Sequence, residues 1–193
     1  GAATEPVALA AGDLDGVPGS PDDLVVACRG TASVVGIIRD GGSFVALPPP
    51  PAGYRTPMDV AVGDLDGDGH LDVVSVESGG SPLAPERVLL HRGLGGGAFA
   101  APERLNTRFE PRAVSIGDVD ADGRANDMVI ATDGATPADP AQVEVLVNLG
   151  NGQFGSTGMN PAVITPLLGG AGGSPADGRF PCDIVCGDLQ HDS

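Results

Sequence analysis

Val60-Ala61-Val62-Gly63-Asp64-Leu65-Asp66-Gly67-Asp68-Gly69-His70-Leu71-Asp72-Val73-Val74-Ser75-Val76 places an apolar run, a carboxylate-rich loop and a second apolar run in one line of sequence. Asp64, Asp66, Asp68 and Asp72 stand at positions 1, 3, 5 and 9 of the loop. Four carboxylates so close repel one another unless a cation lies among them. Hard oxygen donors at alternating positions suit Ca²⁺, which takes about six to eight oxygens in a flexible shell. Gly69, at position 6, allows a sharp turn that brings the backbone carbonyl of His70, at position 7, inward as a further ligand.

The first six positions are also those of an EF-hand loop, and that reading fails twice. An EF-hand needs a bidentate Glu at position 12, where this loop has Ser75, and it needs flanking helices. Here the flanks are β-branched and strand-like, so the loop joins two strands. A solvated Asx/Gly turn accounts for Gly67 and Gly69 but not for four convergent carboxylates.

The pattern repeats along the chain. Apolar-x-Gly-Asp occurs as Ala10-Ala11-Gly12-Asp13, Ala61-Val62-Gly63-Asp64, Ser115-Ile116-Gly117-Asp118 and Val185-Cys186-Gly187-Asp188, with the aspartates 51, 54 and 70 residues apart. The first three copies are followed by two apolar strands each. A turn comes next: Asp40-Gly41-Gly42-Ser43-Phe44, Gly95-Gly96-Gly97-Ala98-Phe99 and Gly150-Asn151-Gly152-Gln153-Phe154. Gly or Asn followed by Gly is a hairpin signal with positive φ. A short fourth strand is expected after each Phe, and the Phe itself reads as a hydrophobic plug between neighbouring units. Four antiparallel strands per unit of about 50 residues is the signature of β-propeller blades. The fold class is therefore all-β, one propeller segment over residues 1–193, with repeats at approximately 6–56, 57–110 and 111–180 and a partial copy at 181–193.

These residues resemble the FG-GAP or VCBS-type repeats of integrin-α-like β-propellers. The resemblance rests on residues 63–72, on the sister loops and on the Gly-x-Phe turns, and it covers essentially the whole chain. It implies that each loop joins the first and second strands of a blade and holds Ca²⁺, and that the protein binds or adheres outside the cell without catalysis. The second copy fits in full, through Asp64, Asp66, Asp68, His70 and Asp72. In the third, Asp118, Asp120 and Asp122 keep positions 1, 3 and 5 and Arg124 takes position 7; position 9 is Asn126, with Asp127 one residue late, so a one-residue bulge is needed to deliver either oxygen. The first keeps Asp13 and Asp15, has Val17 in place of the third carboxylate, and needs a Pro-Gly-Ser-Pro insertion to fold back for Asp23 to arrive. The fourth offers Asp188, Gln190 and Asp192.

Three complete blades and the innermost strand of a fourth, expected over residues 183–189, do not close a ring, which needs about four blades or more. Either more chain completes it, or several copies complete one another by head-to-tail strand addition, giving a closed ring or an open filament.

Composition agrees with many short strands. Hydrophobic residues make up 41% of the 193 but aromatics only 3%, so the core is built from Val, Leu, Ile and Ala; Gly 31 and Pro 18 signal frequent turns. A formal charge of −16 argues against nucleic acid as a partner. No run is long and apolar enough to span a bilayer, and residues 1–6 resemble neither a signal nor a transit peptide, so the chain reads as a soluble, mature or trimmed segment. Cys28, Cys182 and Cys186 are an odd set; a bridge between the last two would be strained, one from Cys28 to either is open, and no zinc spacing exists. His70, His91 and His191 form no catalytic constellation, and no nucleophile elbow, phosphate loop or metalloprotease motif is present, so an enzyme is not expected. The connections at residues 47–57, 79–87, 133–142 and 161–181 read either as partner-binding loops or as solvated Pro-rich linkers.

Together these features read as a Ca²⁺-binding extracellular propeller module, secreted or on the cell surface, that meets a protein or glycan ligand. The alternatives are a self-assembling subunit of an extracellular filament or coat, and a carbohydrate-binding accessory domain.

Overall fold

The structure, a computed structural model, describes residues 5–19, 22–40, 43–46, 56–78, 87–105, 107, 110–124, 126–133, 142–150, 152–154, 162–164 and 184–186. Among these residues there is no helix. Twelve strands follow one another as β1 (Pro6–Gly12), β2 (Asp23–Cys28), β3 (Ser33–Asp40), β4 (Ser43–Ala46), β5 (Thr56–Gly63), β6 (Asp72–Ser78), β7 (Arg87–His91), β8 (Glu103–Leu105), β9 (Glu110–Gly117), β10 (Asp127–Asp133), β11 (Gln142–Leu146) and β12 (Ala162–Ile164). They form three four-stranded antiparallel sheets in sequence order, β1-β2-β3-β4, β5-β6-β7-β8 and β9-β10-β11-β12. The repeat length expected from the Gly-Asp spacing thus corresponds to one sheet per copy.

The strands form where β-branched residues cluster. Val73, Val74 and Val76 on β6 and Val88, Leu89 and Leu90 on β7 are buried on both faces, so these central strands lack the apolar/polar alternation of a half-exposed sheet. The first strand of each sheet is an edge strand built to one plan. A proline stands first or second in it, Pro6, Pro57 or Pro111, where a missing N–H costs nothing at an edge. The next residue, Val7, Met58 or Arg112, is skipped in the pairing: Pro57 faces Glu77 and Asp59 faces Val76 in the second sheet, and the first and third sheets slip at the same place. This bulge bends the edge strand and re-aims the residues C-terminal to it.

The three sheets meet through these first strands, with β5 between β1 and β9. The glycine of each Gly-Asp pair is the contact point. A Cβ on Gly12 would stand 2.5 Å from Leu71 Cδ1 and 3.3 Å from Val62 Cγ2, one on Gly63 3.0 Å from Ile116 Cγ2, and one on Gly117 2.6 Å from Cys186 Cβ. Val62, Ile116 and Cys186 are the residues that immediately precede the next glycine, so each copy presents a knob to the socket of the copy before it. Glycine stands here because any side chain would occupy the space of the neighbouring strand.

Two apolar clusters fill the junctions. Leu14, Val25, Ala27, Val34 and Ile38 of the first sheet pack with Val60 and Val73 of the second, and Phe99 lies against them. Leu65, Val74, Val76, Val88 and Leu90 of the second pack with Val114, Met128, Ile130 and Leu146 of the third, joined by Phe154. Phe99 and Phe154 therefore seal the seams, as the turn pattern leads one to expect; the Phe44 side chain lies outside the described residues. The fourth strand follows Phe99 and Phe154 only after several further residues, whereas Phe44 is itself within β4.

Ile184–Cys186 lie outside every strand, against the strand expected over residues 183–189; the rest of that range lies outside the described residues. Cys186 N nevertheless donates to Ser115 Oγ at 3.0 Å, which places the segment beside β9. Cys28 and Cys186 are both free thiols, so the bridge left open between them is not made; Cys182 lies outside the described residues. So does most of the four long connections.

Replacing Gly63 by Val is expected to lower stability by about 1–3 kcal/mol, because its branches must displace Ile116 from a packed junction. A chemical-denaturation midpoint matching that of the wild type would contradict this junction.

Candidate metal centre

In the second sheet the loop between β5 and β6 folds on its own carboxylates. Asp64 Oδ1 accepts from Gly67 N at 2.8 Å and its Oδ2 from Gly69 N at 3.0 Å. Asp66 Oδ1 accepts from Asp68 N at 3.2 Å, and Asp68 Oδ1 from His70 N at 2.8 Å. These are Asx turns, which curl the backbone and draw the side chains to one side. Gly67 and Gly69 hold φ of 77° and 89°, the left-handed region such a curl requires. The result is one oxygen each from Asp64, Asp66 and Asp68 within 4.8 Å of one another. An all-oxygen, anionic donor set of that size fits a hard divalent cation of the Ca²⁺ type.

The third loop, between β9 and β10, repeats the curl. Asp118 accepts from Asp122 N at 3.1 Å and Gly123 N at 2.9 Å, Asp120 Oδ1 from Asp122 N at 3.1 Å, and Asp122 Oδ1 from Arg124 N at 2.9 Å. Ala121 stands at φ 62° where the second loop has Gly67, so this copy makes the same turn against a side chain. Here the oxygens that gather within 4.8 Å belong to Asp118, Asp120 and Asp127. The first loop keeps the opening half, with Gly16 N to Asp13 Oδ1 at 2.7 Å and Val17 N to Asp15 Oδ1 at 3.0 Å, and then departs. Val17, in the place of the third carboxylate, is half exposed, but Asp23 joins Asp13 and Asp15 in a third cluster. The insertion before Asp23 therefore does not keep it from the loop.

The last carboxylate of each loop has a second task. Asp72 Oδ2 accepts from Leu65 N at 3.0 Å and Oδ1 from Gly93 N at 2.8 Å, so it ties the loop to the chain leaving β7. Asp23 does the same with Leu14 N at 3.0 Å and Arg39 N at 2.7 Å, and Asp127 with Val119 N at 2.8 Å and Asn148 N at 2.9 Å. All three are buried. Burial pushes the Asp72 carboxyl up to about 6, and neighbouring Asp66 adds to that; the Gly93 and Leu65 amides and the Arg92 guanidinium pull it back. Asp127, not Asn126, is thus the equivalent of Asp72 in the third sheet. The backbone carbonyl of Asn126 accepts from Asn148 Nδ2 at 3.2 Å, and its buried Oδ1 has no hydrogen-bond partner among the described residues.

Of the residues expected as ligands, three groups are brought together: Asp13, Asp15 and Asp23; Asp64, Asp66 and Asp68; Asp118, Asp120 and Asp127. Asp72 stands just outside its group as a pin, and Asp122 turns its Oδ1 to Arg124 N. His70 and Arg124 follow the third Asx turn; the Arg124 carbonyl accepts from Asn126 N at 2.9 Å. Aspartates 188 and 192 and Gln190 lie outside the described residues.

Three residues that matter to the loops escape the Gly-Asp pattern. Asp59 Oδ2 accepts from Val114 N at 2.8 Å, a link from β5 to β9. Asn148 Nδ2 donates to Leu65 O at 2.6 Å, carrying the second loop to the third sheet. Arg92 sets Nη1 3.4 Å from Asp66 Oδ2 and 3.6 Å from Asp72 Oδ2. A longer motif, Pro-x-(Ala/Asp)-apolar-x-apolar-Gly-Asp, recurs at residues 6–13, 57–64, 111–118 and 181–188 and would have drawn the eye to Asp59.

Residues 22–75 match the family described as an FG-GAP-like repeat, just over a quarter of the chain, from the start of β2 through the second loop into β6. No curated protein matches the chain significantly.

The two kinds of aspartate are separable by mutation. Asp72→Ala leaves two buried amides without acceptors and is expected to cost roughly 2–4 kcal/mol even in chelator. Asp68→Ala, at an exposed position, is expected to change chelated stability by less than about 0.5 kcal/mol and to act only when cation is present. Equal losses for both variants in chelator, measured by urea denaturation, would refute the division.

Proposed function

We propose, given that the chain carries an FG-GAP-like repeat, that it is a segment of a Ca²⁺-stabilised β-propeller acting as a non-catalytic binding or adhesion module outside the cell. The observation that carries this reading is the threefold recurrence of one arrangement: three carboxylate oxygens within 4.8 Å, each time in the loop between the first two strands of a four-stranded sheet. A single acidic turn is commonplace. Three in register, on consecutive sheets joined socket to knob, put the acidic loops on one edge of the array, where a cation neutralises each and stiffens the strand junction beneath it. Asp64, Asp66 and Asp68 form one set, with Asp72 pinned beside it, Asp118, Asp120 and Asp127 the second, with Asp122 beside it, and Asp13, Asp15 and Asp23 the third. A bound cation would supply charge neutralisation and no chemistry. The sheets then act as a rigid scaffold for the connections at their edges, where a protein or glycan ligand would be met.

Calcium should raise the melting temperature by several degrees through mass action, and the effect should saturate. Asp66→Ala should shrink both the rise and the number of ions bound in calorimetric titration. A melting curve indifferent to millimolar Ca²⁺, with no heat of binding, would remove the calcium part of this reading.

A second reading, self-assembly into a filament or coat, is favoured by the exposure of Leu9 on β1. Leu9 is 66% exposed, while Val60 and Val114, at the same place in their strands, are 5% and 4% exposed beneath the preceding sheet. The first-strand motif occurs a fourth time in the sequence at residues 181–188, with Gly187 and Asp183 at the positions of Gly63 and Asp59. Light scattering over a hundredfold range of concentration, repeated with Leu9→Lys, tests it: growth in mass that the variant abolishes is the expected result. A constant monomer mass for the wild type rejects it.

A further inference from the structure

We infer that Arg92 is a resident counter-cation of the second acidic loop, which lowers that loop's affinity for a divalent cation and ties its occupancy to the junction between the second and third sheets. The inference rests on the reading of the loops as Ca²⁺ sites. It concerns what sets the second site apart from the other two.

Arg92 comes directly after β7 and leans back over the loop. Its guanidinium has two ion-pair contacts and one hydrogen bond: Nη1 lies 3.4 Å from Asp66 Oδ2 and 3.6 Å from Asp72 Oδ2, without a hydrogen bond of its own among the described residues, and Nη2 donates to Gly152 O at 2.6 Å. The first two belong to the loop, the third to the turn of the next sheet. Gly152 holds φ 70°, and a Cβ there would collide with the guanidinium, so the turn of the third sheet is shaped around this side chain. The planar fork of arginine suits the task; a lysine ammonium has no second nitrogen with which to reach across.

Among the described residues, no arginine ion pair reaches the carboxylates of the other two loops; Arg39 and Arg124 stand beside them but are exposed. The residue before the amide that pins the last aspartate is Arg92 in the second sheet, Ile38 in the first and Val147 in the third. The second loop is therefore the one, among the described residues, whose carboxylates are ion-paired with an arginine of the chain itself. Without a divalent ion, the guanidinium offsets part of the repulsion among Asp64, Asp66 and Asp72. With one, Asp66 is shared between two cations, and the like charges repel across a few ångströms of partly solvated loop. Arg92 then turns more fully to Gly152 O, which transmits occupancy to the third sheet. Asp66 and Asp72 on the loop and Arg92 from the end of β7 are the charged groups that meet at this point.

The test uses the full chain with the first and third loops silenced by Asp13→Asn and Asp118→Asn, and Ca²⁺ as the titrant. In that background Arg92→Met should bind Ca²⁺ about three- to tenfold more tightly, while Arg92→Lys, which keeps the charge, should stay within about twofold. Arg92→Met should also show a larger Ca²⁺-induced rise in melting temperature, because the chelated form loses its internal cation and the loaded form does not. If Arg92→Met does not fold, as judged by circular dichroism, Arg92→Gln takes its place. Unchanged or weaker binding by the neutral variant overturns the inference, as does equal tightening by Arg92→Lys. Failure of the calcium reading itself looks different: the silenced parent, and the same parent with Asp66→Ala, would bind no Ca²⁺ at all.

Discussion

One carboxylate in each sheet is held by backbone amides from two directions: Asp23 by Leu14 and Arg39, Asp72 by Leu65 and Gly93, Asp127 by Val119 and Asn148. The rest of the structure hangs on this contact. It closes the loop after the first strand, fixes where the second strand begins, and clamps both to the exit of the third strand. A buried carboxylate without those donors would be costly, and the amides without the carboxylate would be unsatisfied, so each side holds the other in place. The chain's own amides thereby shape the loop, and its other carboxylates are left crowded toward the outside. Acidic crowding and structural closure are two results of one aspartate-rich segment, and Asp23 and Asp127 take part in both.

Much of this was legible in the chain. The Gly-Asp spacing marked one sheet per copy, and the Val-rich runs after each loop marked the central strands, because a strand covered on both faces needs a continuous apolar run. The alternate aspartates marked the loops, because Asx turns and cation ligation demand the same residue types at the same spacing. For that reason spacing alone did not separate a clustered, exposed carboxylate from a buried pin: Asp72 and Asp68 look equivalent in a linear pattern, and burial parts them. Asp127 is a case where the shape of the chain decides, since one inserted residue moves the pin past Asn126.

What the linear pattern hid are the contacts between copies. Asp59, Asn148 and Arg92 each act on a residue some fifty to eighty positions away, and no local period announces such a pairing. Glycine before aspartate was visible as a motif, but its reason was not. Read alone it suggests a turn; in place it is a socket for Val62, Ile116 or Cys186.

That socket bears on how the chain tolerates change in length. From the proline to the socket glycine the count is six in every copy, Pro6 to Gly12, Pro57 to Gly63, Pro111 to Gly117 and Pro181 to Gly187, while the distance from one socket to the next varies by as much as 19 residues. One residue added inside the inner strand would slide the knob off its glycine and invert every side chain beyond it. The same residue added to an outer connection costs only a small increment of loop entropy. The array therefore has a rigid inner gauge and an elastic rim, and new sequence can accumulate at the rim without the sheets losing their alignment.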